Sequence, residues 1–93
     1  MATTTQLAFS ENQQTGKYEA EHQVSSSFAI HVESAKIGAF TVEQKSDPAA
    51  PRFANTDVFS PKDVIDVQYH LELPALVKIT STTPVTYGTI IEA

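Results

Sequence analysis

The chain alternates apolar and polar residues, most clearly in its second half. Apolar side chains occupy every second position from Ile65 to Leu73, and polar or charged side chains lie between them. A period of two cannot form an apolar stripe on a helix of 3.6 residues per turn, but it gives a strand with one apolar face and one wet face. The pattern therefore predicts a β-strand from Val64 to Leu73 that packs one face against a core.

The same alternation recurs at short intervals and predicts an all-β fold. Further strands are predicted at Thr3 to Phe9, Tyr18 to Val24, Phe28 to Val32, Phe40 to Val42, Leu76 to Ser81 and Val85 to Glu92. Strands 18–24 and 28–32 predict a hairpin around Ser25-Ser26-Ser27, and Gly38 predicts a bulge or a close backbone approach. About seven short strands with regular turn signals are typical of one antiparallel β-sandwich or jelly-roll-like barrel, here expected to span residues 1–93.

One proline-rich segment, Gln44 to Lys62, interrupts the alternation. Proline cannot donate a hydrogen bond to a sheet, so we expect a loop with at most a short strand inside it. Phe53, Val58 and Phe59 lie in this segment. Apolar side chains in a rigid loop usually have a cover, so these three residues are predicted to lie at or near a subunit contact. The alternatives are that the aromatic residues cap the sandwich or stack on a sugar.

Composition and charge exclude several classes of function. The 93-residue chain is 41% hydrophobic and 18% charged, which indicates a folded protein. Its net charge of −5 disfavours nucleic-acid binding, and the absence of cysteine excludes disulfides and thiolate metal sites. No apolar run approaches the length of about 20 residues of a membrane helix, and Met1 to Thr5 does not resemble a secretory signal. We therefore expect a protein made in a cytoplasm, with no membrane partner.

Two histidines are the best candidates for metal ligands. In the predicted hairpin, His22 lies opposite Ile30 on the apolar face and His31 lies opposite Glu21 on the polar face. Two side chains on opposite faces of one sheet cannot bind the same ion. No metal site is therefore predicted.

Other catalytic or binding groups are also not recognisable. The run Asn55-Thr56-Asp57 offers too few oxygens for calcium, which needs six to eight. A glycosidase pair would need a pocket, for which so short a chain leaves little wall. The serines lack a glycine-flanked elbow, and three glycines do not make a phosphate-binding loop. No catalytic residue and no cofactor is predicted, and the chain is not expected to be an enzyme.

Three parts of the chain together carry a family resemblance. They are Ile37-Gly38-Ala39-Phe40-Thr41-Val42-Glu43-Gln44-Lys45-Ser46-Asp47, then Phe53, then Ala75-Leu76-Val77-Lys78-Ile79-Thr80-Ser81-Thr82-Thr83-Pro84-Val85-Thr86. A glycine-led strand ending near Gln-x-Ser-Asp, a later aromatic residue and two closing strands around a Ser/Thr-rich turn resemble small β-sandwich accessory proteins of tailed-phage virions. The resemblance covers roughly residues 37 to 92, and Phe53 stands where such proteins commonly have tryptophan. It implies a non-enzymatic virion part, often oligomeric, attached to a capsid or tail.

The main hypothesis is therefore a structural virion protein, such as a capsid decoration or head–tail accessory subunit. Its partners would be other virion proteins or further copies of itself, and it would reach the virion after synthesis in the host cytoplasm. The alternative is a carbohydrate- or receptor-binding module on the same scaffold, and a minimal enzyme is the third hypothesis. Fold alone does not decide between them.

Overall fold

Antiparallel pairing of the alternating segments builds the whole structure. The computed structural model describes residues 2–93, apart from the side chains of residues 35–37, 55, 56, 61 and 62. This described part of the chain contains seven strands and no helix. The strands are β1 (Thr3–Gln6), β2 (Ser10–Asn12), β3 (Lys17–Val24), β4 (Phe28–Lys45), β5 (Ala54–Tyr69), β6 (Ala75–Ser81) and β7 (Val85–Glu92).

Two long strands, β4 and β5, run through both layers of a sandwich. The first half of β4 pairs with β7 and its second half pairs with β6, while β5 pairs with β4 in both halves. One layer, sheet I, therefore has the order β1-β7-β4-β5, and the other, sheet II, has the order β5-β4-β6-β3-β2. The predicted antiparallel β-sandwich is confirmed. The expectation that all strands are short is wrong for β4 and β5.

The core lies between the two sheets and is filled from alternate positions of the strands. Along β6, buried and half-buried residues alternate without a break. The largest fully buried apolar side chains are Phe40, Ile30, Ile79, Ile90, Val24, Val32 and Val77. Each such side chain contributes about 1.5–3 kcal/mol of transfer free energy. Alternation in the sequence thus specifies which face of each strand stabilises the fold.

The bend in β4 requires a glycine. The register between β4 and β5 shifts on both sides of Gly38, and a Cβ atom added there would clash with Thr83 Oγ1 in the turn between β6 and β7. That turn is held against β4 by a hydrogen bond between the Ser34 and Thr83 hydroxyls (2.8 Å) and by Thr82 N donating to Ala39 O (3.1 Å). Of the two predicted alternatives at Gly38, the bulge is confirmed.

The predicted hairpin around Ser25-Ser26-Ser27 is wrong. In the described structure, β3 pairs with β2 and β6, and β4 pairs with β5, β6 and β7. The serine segment instead carries the chain from sheet II to sheet I. Val24 and Phe28 at its two ends are both buried in the core. A hairpin and a crossover between sheets give the same alternation, so the pattern could not distinguish them.

The predicted loop from Gln44 to Lys62 is also mostly wrong. The connection between β4 and β5 comprises residues 46–53, and β5 continues from Ala54 through Pro61 to Tyr69. Proline is tolerated within this strand because β5 is an edge strand, which has a free side. The strand predicted up to Leu73 accordingly starts earlier and ends at Tyr69.

Candidate interaction edge and histidine cluster

The edge of the sandwich at β1 and β2 is closed by the segment that joins these strands. Leu7 is buried, and Phe9 packs against the core. Leu7 N donates to Gly88 O at 2.8 Å, and a Cβ atom added at Gly88 would lie 2.9 Å from Phe9 Cε1. Leu7 and Phe9 thus cover the core on that side.

The opposite edge, formed by β5, is open. Within the described residues, β5 pairs with β4 alone, so its outer backbone groups have no strand neighbour. Several of its inward-facing side chains are half-buried, although the residues opposite them on β4 are at most 4% exposed. These pairs are Phe59 opposite Phe40, Val67 opposite Ile30, and Tyr69 opposite Phe28. The core therefore reaches solvent along β5.

Tyr69 lies at this open edge with an unsatisfied polar atom. Its ring stacks on Phe28, with centroids 5.2 Å apart, and its buried hydroxyl has no hydrogen-bond partner among the described residues. Burial raises the pKa of Tyr69, and the nearby Asp57 carboxylate raises it further. Asp57 pairs with Val42, so it faces inward from the other half of β5. The two halves of β5 thus bring a phenol and a carboxylate together across the opening.

The three predicted interface residues do not form one patch. Phe59 faces inward and packs against the core, whereas Val58 faces outward from sheet II and is 69% exposed. Adjacent residues of a strand point to opposite faces, so these two side chains cannot share a contact on one face. Phe53 lies in the 46–53 connection, where it is half-buried.

Two lysines cover the ring of Phe53. Lys45 Nζ lies 4.8 Å and Lys78 Nζ 5.5 Å from the ring centroid, in the geometry of cation–π contacts. Lys45 Nζ also donates to Ala50 O at 2.9 Å, which ties the connection to the end of β4. The ring is thus occupied by contacts within the chain, which disfavours its use as a platform for a sugar.

Sequence reasoning missed a cluster of side chains around His31 on the outer face of sheet I. His31 Nε2 lies 2.7 Å from Glu33 Oε2, and His31 Nδ1 lies 2.9 Å from Asp66 Oδ2. The ring of Tyr87 meets the imidazole edge-on, with centroids 6.1 Å apart. The hydrogen bond to Glu33 contributes most to raising the pKa of His31, and the hydrogen bond to Asp66 raises it further. Together they outweigh partial burial, which lowers this pKa.

The two candidate metal-binding histidines lie on different sheets. His22 pairs with the buried Val77 in sheet II, and its Nε2 lies 3.4 Å from Glu92 Oε2. His31 lies on the outer face of sheet I. The predicted faces were therefore right, the apolar one for His22 and the polar one for His31, although the predicted cross-strand partners Ile30 and Glu21 were wrong.

The His31 cluster does not have the geometry of a metal site. Glu33 and Asp66 bind opposite nitrogens of the ring, so the three side chains do not converge on one point. Among the residues described here, no group of three histidine, cysteine or acidic side chains is placed to hold an ion. The described part of the chain also has no helix of the length and apolar character needed to span a membrane.

Comparison with known proteins adds no further constraint. No family model, no curated protein and no solved structure matches this chain. The open edge and the histidine cluster are therefore the features from which function is inferred.

Proposed function

We propose that this chain is a non-enzymatic structural protein that acts through protein–protein contacts, as a capsid decoration or head–tail accessory subunit of a tailed-phage virion. The observation that carries the proposal of a contact role is the open edge at β5. The placement in a virion rests on the sequence resemblance described above. The proposed partners are further copies of this chain or other virion proteins, and no cofactor is assigned.

The β5 edge suits a contact for two physical reasons. An unpaired strand offers backbone donors and acceptors to a strand of a neighbouring subunit. Such a neighbour would also remove half-buried apolar side chains from water, at about 25 cal/mol per Å² of apolar area. Pro61 and the register shifts beside it divide the 16-residue strand into two arms, each of ordinary strand length. The edge therefore offers a separate docking strand from each sheet.

Exposed apolar side chains lie on the outer faces of both arms. Val58 of sheet II is 69% exposed, and Val64 of sheet I is 45% exposed. Val64 shares a cross-strand row with Glu33 and with Tyr87, which is 47% exposed. Protein contacts commonly bury such side chains at their centre, surrounded by polar groups. These residues favour a contact that includes the margins of both faces.

The test is the assembly state of the purified protein and of edge variants. Size-exclusion chromatography with light scattering, over a wide range of concentration, should show association that Val58→Lys with Val64→Lys abolishes. Both changes introduce charge at exposed positions, so the free energy of unfolding should change little. Leu73→Lys is the matched control, because Leu73 is 66% exposed and lies outside β5. Purified phage particles should contain the wild-type chain and the Leu73 variant, but not the double variant.

Two results would contradict the proposal. One is a wild-type protein that stays monomeric at all concentrations and is absent from particles. The other is an equal loss of association in the Leu73 variant. Retention of glycans by the monomer, abolished by Phe53→Ala, would instead support the carbohydrate-binding alternative.

A further inference from the structure

His31 occupies a central position on the outer face of sheet I. It belongs to β4, which lies between β5 and β7, and its cross-strand neighbours are Asp66 on β5 and Thr89 on β7. The same row ends at Gln6 on β1. The histidine therefore contacts the edge strand from the strand next to it.

Both ring nitrogens of His31 face carboxylate oxygens. A neutral imidazole carries one N–H and can donate to one acceptor, whereas the imidazolium carries two and can donate to both. The contacts to Glu33 at 2.7 Å and to Asp66 at 2.9 Å can therefore both be hydrogen bonds only when the ring is protonated. The single N–H of the neutral ring stays with the closer carboxylate, Glu33, so loss of the proton removes the hydrogen bond to Asp66 and leaves two like charges on the same face.

We propose that His31 is a protonation-dependent latch that fastens the edge strand β5 to β4. The bond to Asp66 crosses from one strand to the other, whereas the bond to Glu33 stays within β4. In the described structure β5 has one strand neighbour, so no second ladder holds this strand when its pairing with β4 loosens. A central strand such as β6, which pairs with both β3 and β4, does not depend on a single side in this way.

The groups that face His31 fix the direction of the pH effect. Among the described side chains, the charged groups are Glu33 on β4 and Asp66 on β5, while β7 contributes the phenol of Tyr87. The two carboxylates raise the pKa of His31 above its ordinary value of 6.5. A group whose pKa is raised by folding stabilises the folded state fully below its unfolded pKa, and that stabilisation is lost as pH rises through the folded pKa. His31 therefore fastens β5 to β4 in mildly acidic solution, and this link is lost at pH values above the raised pKa of His31.

The latch has a consequence for assembly that rests on the proposed function. If subunits join through β5, a fastened edge presents a preformed strand and lowers the entropy lost on docking. Association would then weaken as His31 loses its proton.

NMR titration of His31 tests the first part of the inference. The pKa of His31 should lie above 6.5 in the wild type and should fall in both Glu33→Gln and Asp66→Asn. A His31 titration that Asp66→Asn leaves unchanged would overturn the latch.

Hydrogen exchange tests the mechanical part. Protection factors of β5 amides between residues 63 and 69 should fall, relative to β6, as pH rises through the measured pKa of His31. In His31→Gln, and in the exposed-site variant Asp66→Asn, the ratio of β5 to β6 protection should no longer depend on pH. An identical pH dependence in wild type and Asp66→Asn would refute the proposal. Because both measurements are made on dilute monomer, failure of the association experiment alone refutes the assembly role and not the latch.

Discussion

The open edge makes a quantitative prediction for two phenylalanines that face each other in the sheet. Phe40 and Phe59 are cross-strand partners, but Phe40 is 1% exposed and Phe59 is half-buried. Truncating a fully buried phenylalanine to alanine costs about 3–5 kcal/mol through lost transfer free energy and a cavity. Phe59 already contacts water on one side, so Phe59→Ala should cost about half as much, roughly 1.5–2.5 kcal/mol.

These costs are large compared with the total stability. A chain of 93 residues has an expected free energy of unfolding of about 5–14 kcal/mol. Phe40→Ala should therefore lower the urea midpoint strongly, and Phe59→Ala should lower it by about half as much with the same m-value. Unfolding is followed by far-ultraviolet circular dichroism and tyrosine fluorescence in dilute protein, so that association does not cover β5. If Phe40→Ala does not fold, Phe40→Leu and Phe59→Leu replace the pair.

Equal destabilisation by the two changes in the monomer would refute the reasoning, because it would mean that the core is as well covered at β5 as in the interior. Repeating the titration at high concentration adds a second criterion. If subunits associate through β5, Phe59 becomes fully buried on association, and the difference between the two variants should narrow. If the protein associates and the difference in destabilisation between Phe40→Ala and Phe59→Ala stays constant, the contact does not lie at β5.

Three further changes test local features of the fold. Gly38→Ala should lower the free energy of unfolding by about 1–3 kcal/mol through the clash with Thr83. In urea unfolding, Gly38→Ala should therefore cost less in a Thr83→Ala background than in the wild type, and additive effects of the two changes would contradict the clash. Ser81→Ala should cost about 1–3 kcal/mol in thermal unfolding, because the buried hydroxyl donates to Thr83 O at 2.7 Å and accepts from Thr83 N at 3.2 Å. Phe53→Leu should cost about 0.5–1 kcal/mol at low salt by removing its contact with Lys45, and no change in urea would show that this contact is not stabilising.

The sequence predicted the closing strands well. The strand predicted from Val85 to Glu92 coincides with β7, and the one predicted from Leu76 to Ser81 differs from β6 by one residue. Both have regular alternation, and each is bounded by a proline-containing turn that ends the ladder. In such segments the local sequence is sufficient to predict the strand, because the same residues specify its extent, its inward face and its ends.

The alternation of apolar and polar residues could not predict which strands pair. Alternation states which side of a strand is apolar, but it does not state which strand lies beside it. The serine segment between Val24 and Phe28 therefore suggested a hairpin, although the chain crosses to the other sheet there. Pro61 suggested a loop for the related reason that proline is excluded from central strands and tolerated at edges. Whether a strand is an edge strand depends on contacts between residues far apart in sequence.

The histidine cluster shows the same division between local and long-range information. Glu33 lies two residues after His31, so strand periodicity alone places both on one face. Asp66 joins them only because β5 pairs with β4, whereas the predicted hairpin placed His31 opposite Glu21 instead. The Glu33 contact was thus predictable, and the contact to the edge strand was not.

The edge contact and the histidine latch are linked thermodynamically because they involve the same strand. If subunits bind more tightly to the fastened form of β5, protonation of His31 favours association, and association must raise the pKa of His31 by the same free energy. The NMR titration of His31 in the associated protein should therefore lie at higher pH than in the monomer. Asp66→Asn breaks the link between the histidine and the edge strand, so it should remove this difference. An associated protein in which the His31 titration does not shift would show that the contact at β5, if it forms, does not distinguish the fastened from the loosened strand.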